Sequence, residues 1–182
     1  MMFGFKRPKR NDEELSRQYV RHVFAVGRET CPTIAEAIQT MTQGDVAFPV
    51  NDDASIEISL AILGTSLAVL KGHSQVMTAD RGTEVETFCK RSIERDYDLP
   101  AGAAGKLNAS LDEYQGAFQK SMANKNNPFG DITGIMLCRC LGSRAAELCL
   151  SGTGSLNPFI HQVVGDLMTL TITQTMTFWK GK

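Results

Sequence analysis

The stretch IEISLAILGTSLAVL, Ile56 to Leu70, constrains this chain more than any other part of it. On a helix, Ile56, Leu60, Leu63, Leu67 and Leu70 form one face, while Ile58, Ile62 and Val69 cover much of the rest. A helix apolar nearly all round is stable only when other elements surround it. The run is interrupted by Ser, Gly and Thr and is shorter than the roughly twenty apolar residues that cross a bilayer. It therefore reads as the buried central helix of a bundle, residues 54–71, with no membrane span expected. Asp52 or Asp53 stands where its N-cap belongs.

The neighbouring segments supply helices to surround it. Asn11 with Glu14 three residues on is a variant of the capping box, and Leu15, Tyr19, His22 and Val26 then recur at helical spacing. This predicts a helix over about 12–30, which Pro32 stops or kinks, and a second from Pro32 to Gly44. Val85, Phe88 and Ile93 give the charged segment after Gly72 a weaker apolar stripe, as expected of a surface helix. LPAGAAGKLNAS (99–110) reads as a connector between two halves, with a short helix to follow from Leu111 to Asn124. The C-terminal segment 169–179 is ambiguous. Asn157 and Pro158 open a helix, but TLTITQTMTFW then alternates apolar residues with threonines as a half-buried strand does. Helix is favoured, because no other segment offers a partner strand. The expected fold class is all-α, a single-domain bundle of about five to seven helices.

Charge and cysteine usage narrow the setting. Residues 1–10 carry Lys6, Arg7, Lys9 and Arg10 and no acid, leaving 15 bases against 20 acids over the rest. They are expected to be a disordered basic leader, and residues 11–182 the folded domain. The acidic body lacks the basic face of a nucleic-acid-binding domain, so nucleic acid is an unlikely partner, and the four tail bases form only a short patch for an anionic one. No apolar run of signal-peptide type opens the chain. Five cysteines of irregular spacing fit free thiols in a reducing, cytoplasmic compartment.

IMLCRCLGSRAAELCL (135–150) is where a metal or redox site is most tempting. Placed on one helix, Cys138 and Cys149 point to the core and Cys140 points away. Cys138 and Cys149 then stand about 16 Å apart, too far to share a zinc ion, and Cys138 and Cys140 lie about 160° apart around the axis. No metal site is expected. Cys140 has Arg139 beside it and Arg144 one turn on, and guanidinium charge lowers a thiol's pKa, so Cys140 with Arg144 is the candidate reactive thiol.

Other chemistry is sparse. No Glu-x-x-His, His-x-x-x-His, Gly-x-Ser-x-Gly or phosphate-loop pattern occurs, so no catalytic set is legible and no cofactor is expected. Two readings remain. One is a non-enzymatic interaction or assembly protein, homo-oligomeric because Met176, Phe178 and Trp179 are apolar and need covering. The other is a bundle that holds a lipid-like or haem-like ligand between helices, read by Tyr19, His22 or His161.

Overall fold

The computed structural model describes residues 11–72, 76–97, 102–123, 130–142, 157–180 and 182. Among these lie six α-helices and no strand: α1 (Asp12–Met41), α2 (Asp52–Gly72), α3 (Ala79–Asp96), α4 (Ala103–Ala123), α5 (Gly130–Leu141) and α6 (Asn157–Met176), the last followed by a 3₁₀ turn, Thr177–Trp179. The chain is an all-α bundle.

Its centre is the helix that composition singles out. Fourteen residues of α2 are buried, and α2 touches each of the other five helices. By length and composition α2 is apolar enough to cross a membrane, yet 72% of its most apolar window is enclosed by the bundle. Close packing around it depends on small residues. A Cβ on Gly27 of α1 would stand 2.1 Å from the Ser59 hydroxyl of α2. A Cβ on Gly64 of α2 would stand 2.8 Å from Tyr114 Cβ and 3.0 Å from the Leu111 carbonyl of α4. Both crossings thus bring backbone against backbone, where dispersion contacts are densest.

Helix starts follow side-chain capping. Asn11 Oδ1 accepts the Glu14 N–H at 3.2 Å, as the capping pattern predicts. The cap of α2 is Asn51, whose Oδ1 accepts the Ala54 N–H at 2.9 Å, so the expectation of Asp52 or Asp53 is corrected by one position. Thr78 caps α3 through the Arg81 N–H at 3.4 Å.

Three other expectations change, and a fourth, the favoured helical reading of the C-terminal segment, is met. First, the two helices expected on either side of Pro32 are one, because α1 runs unbroken for 30 residues. Pro32 removes an N–H that would have bonded the Arg28 carbonyl. Both residues are exposed, while Cys31, Ile34 and Ile38 stay buried on the other side of the helix and hold it to the core. Second, the 99–110 connector is shorter, since α4 begins at Ala103 just after Gly102 at φ +81°. Leu107 packs on the core and the Asn108 side chain bonds Glu94 at 2.9 Å, which gives the second turn tertiary partners.

Third, α5 does not extend over 135–150. Gly142 at φ +76° ends it with a bond from its N–H to the Cys138 carbonyl at 3.0 Å, an ending that favours glycine. Residues 143–150, with Arg144 and Cys149, lie outside the described residues, as do Lys6, Arg7, Lys9 and Arg10. Fourth, the ambiguous 169–179 segment is helical to Met176. Its threonines satisfy themselves: Thr169, Thr171 and Thr173 each donate to the carbonyl four residues back, at 2.7–2.8 Å. Meanwhile Ile160, Val164, Met168 and Ile172 form one buried stripe of helical period. The 3₁₀ turn then folds Trp179 inward, fully buried, with its ring centroid 5.2 Å from that of Tyr19. Trp179, with half-buried Met176 and Phe178, is covered by the chain's own bundle, and that ground for expecting a dimer disappears.

Candidate functional site

Most strong charge contacts pin helices together. Glu86 of α3 is buried, with Lys71 of α2 at 2.6 Å, Lys90 at 3.0 Å and the Gln115 amide of α4 at 3.0 Å. Burial pushes its carboxyl up, but these donors outweigh burial and hold it at about 2. Glu57 of α2 accepts the Tyr114 hydroxyl at 2.5 Å and Arg139 of α5 at 2.8 Å, and Arg139 also reaches Glu113 and lies over the Tyr114 ring. Arg81 of α3 grips Asp12 of α1 with two bonds, at 2.7 and 3.0 Å, and lies 5.8 Å from the centre of the Trp179 ring. Each cluster crosses two or three helices.

A cleft of about 240 Å³ opens between the first turns of α1 and the last turns of α3. Its walls carry Arg17, Arg91 and Arg95 with Glu13, Glu14 and Asp96, and Phe88 contributes an aromatic face. Arg17 holds Asp96 as a fork, both bonds 2.6 Å, and Ser92 donates to the same carboxylate at 2.8 Å. The Arg17 guanidinium is the chief reason the Asp96 carboxyl is held at about 2. Arg95 meets Glu13 at 3.3 Å. Arg91 has no carboxylate within salt-bridge distance among the described residues, and its guanidinium lies 5.9 Å from the centre of the Phe88 ring. Beside the cleft, Arg21 and Arg28 continue the α1 face. Both are exposed and likewise meet no carboxylate among the described residues, and their charge reaches the half-buried Tyr97 hydroxyl. Three exposed guanidiniums thus form no salt bridge among the described residues, although Arg21 lies close enough to Asp96 to help lower its carboxyl; exposed guanidiniums suit carboxylate or phosphate oxygens.

Of the residues singled out from the sequence, Tyr19 and His22 both touch the Phe178 ring, and Cys140 lies beside Glu57 instead. Tyr19 is fully buried, and its hydroxyl is pushed up to about 12, chiefly by burial. Its ring packs on Phe178 and Trp179. His22 is exposed rather than on the apolar face, stacked on Phe178 with centroids 5.9 Å apart. The His161 side chain lies outside the described residues.

The reactive-thiol expectation for Cys140 is corrected. The thiol is packed against the core and pushed up to about 12, first by burial and then by the nearby Glu57 carboxylate, against which Arg139 pulls only weakly. The reason is topological. α5 contacts α2, α4 and α6, so a direction that is outward on an isolated helix faces protein here. Cys138, expected in the core, is half-buried. No group of three His, Cys, Asp or Glu among the described residues is placed to hold a metal.

The arginine cluster carried a weak signal in the sequence. Arg17 and Arg21, like Arg91 and Arg95, are four residues apart and so share a helix face. Nothing local joins the two pairs, because the Arg17–Asp96 fork spans 79 residues.

Comparison with known proteins identifies no relative: no family model, no curated protein and no solved structure matches this chain.

Proposed function

We propose that the chain is a non-enzymatic helical interaction protein of a reducing, cytoplasmic compartment, and that its contact surface is the arginine face shared by α1 and α3. One observation carries this reading. Arg21, Arg28 and Arg91 are exposed and meet no carboxylate within salt-bridge distance among the described residues, with Arg91 in the cleft between α1 and α3, whereas Arg17, Arg81, Arg95 and Arg139 are held by acids of the same chain. Arginine is enriched in the contact surfaces of proteins, where its planar fork recognises carboxylates. The cleft is polar and its remaining charges are paired, which suits docking of a charged surface more than enclosure of an apolar ligand.

The test is native mass spectrometry of the protein purified from its own cell, with wild type set beside the Arg21→Glu/Arg28→Glu/Arg91→Glu variant. The reading expects complexes in the wild-type spectrum that disappear in the variant, while the thermal unfolding midpoint stays unchanged. Identical spectra for the two proteins remove it.

A further inference from the structure

The cleft between α1 and α3 is lined by three guanidiniums, of Arg17, Arg91 and Arg95, and by three carboxylates, of Glu13, Glu14 and Asp96. Their pairing is uneven. Arg17 commits its fork to Asp96, with both bonds at 2.6 Å, and Arg95 meets Glu13 at 3.3 Å. One cation and one anion remain. Arg91 forms no salt bridge among the described residues, and Glu14 reaches a cation only at 4.0 Å, on the same Arg17 that Asp96 already holds. The other Glu14 oxygen accepts the Gln18 amide at 3.1 Å. Arg91 and Glu14 thus line one cleft from opposite helices without pairing with each other. Half-buried Phe88 stands beside them, its ring centre 5.9 Å from the Arg91 guanidinium.

We infer that the cleft is a binding site for a small zwitterion, an α-amino acid with an apolar or aromatic side chain. Its carboxylate meets Arg91, its ammonium meets Glu14, and its side chain lies against Phe88. Charge selects this chemistry. A guanidinium without a carboxylate is matched by one in a two-bond fork. A ligand that is only an anion has the three carboxylates against it, and one that is only a cation has the three guanidiniums against it. A phosphate ester, with a charge of about −1.5 to −2, is opposed more strongly still. Size selects it as well, since about 240 Å³ is less than a drug-sized ligand occupies and is enough for an amino acid. The walls are fixed before a ligand arrives, because the Arg17–Asp96 fork ties α1 to α3 and the Asp96 side chain is only 9% exposed. This goes beyond the interaction role and shares only Arg91 with it.

NMR titration of the full chain tests this with four probes: L-phenylalanine, 3-phenylpropanoate, which lacks the ammonium, 2-phenylethylamine, which lacks the carboxylate, and phenyl phosphate. L-phenylalanine is expected to bind with a dissociation constant of about 1 mM or tighter. The shifted amides should lie in residues 11–17 and 88–96, which carry the cleft. The other three probes should bind roughly tenfold more weakly or worse, and Arg91→Gln and Glu14→Gln should each weaken L-phenylalanine by about tenfold. Arg91 is exposed and Glu14 half-buried, and circular dichroism checks that both variants are folded.

Absence of any shift at about 10 mM L-phenylalanine overturns the inference, as does binding that both variants retain. Equal binding of 3-phenylpropanoate overturns it in favour of a plain anion site, equal binding of 2-phenylethylamine in favour of a cation site, and tighter binding of phenyl phosphate in favour of a phosphate site. If none of the four probes binds while the native mass spectrum still shows complexes that the arginine variant loses, the interaction role stands and only the small-ligand site is removed.

Discussion

Gly64 and Gly116 both interrupt apolar helices, and they carry opposite expectations. At Gly64 an added Cβ meets Tyr114 Cβ at 2.8 Å and the Leu111 carbonyl at 3.0 Å, so α2 and α4 have to separate. Gly64→Ala should destabilise the protein by about 1–3 kcal/mol. At Gly116 in α4 nothing lies within 4 Å, and Gly116→Ala should stabilise it by about 0.5–1 kcal/mol through helix propensity alone. Urea unfolding midpoints for the two variants should move in opposite directions. Glu86→Gln removes the carboxylate between Lys71 and Lys90 and leaves two ammonium groups facing each other, a loss of about 2–4 kcal/mol by the same measurement. At this scale the sequence was least legible. Glu86 could be read as one more surface acid beside Glu84, because the lysine and amide that hold it come from α2 and α4. Cys140 looked activated by its sequence neighbours and is suppressed by burial.

Elements were easier to read than their ends. The all-round apolarity of α2 marked it as the centre, and Asn11 marked where α1 starts. Pro32 misled, since helix propensity treats proline as a stop, whereas buried residues on both sides of it hold α1 to the core. Pro32→Ala restores a backbone bond on the exposed side of an intact helix. The variant should gain about 1–3 kcal/mol in urea unfolding and show no loss of helix by circular dichroism. A loss of stability would mean that α1 needs the proline's geometry. The end of α6 poses the opposite case. Alternating threonines imitate a strand until their hydroxyls are seen to bond the preceding turn, a local competition that residue periodicity does not register. Trp179 beyond them closes over Tyr19, so Trp179→Ala should destabilise the bundle by about 3–5 kcal/mol, read from the same unfolding curves.

At the scale of the whole molecule, charge links stability to pH. Glu86 ordinarily titrates at 4.5 and Asp96 at 3.8, and the fold holds both at about 2. Since the folded values are depressed, their stabilisation is fully present above about pH 5 and is lost as pH falls towards 2. Glu86 alone accounts for about 2–3 kcal/mol of that loss. Unfolding free energies measured across this range should fall steeply for wild type and less steeply for Glu86→Gln, where Asp96 still titrates. Fold class was legible at this scale because surrounding one apolar helix leaves few architectures. The uneven spread of charge was also in plain view, as a run from Glu29 to Leu70 without a base, but the pairing of charges was not, because the Arg17–Asp96 fork joins residues 79 apart.

The enclosure of α2 has a consequence for how the chain is made. Four of its five covering helices are encoded after it, and the last of them, α6, ends roughly 100 residues downstream. At ribosomal speeds of about 5–20 residues per second, that leaves the most apolar segment without its full cover for roughly 5–20 s. Each newly synthesised copy therefore passes through an interval in which a helix that resembles a membrane anchor is open to the surroundings. Synthesis in a chaperone-depleted cell-free system should yield more aggregate than refolding of the complete chain, where α4 and α6 are available from the first instant.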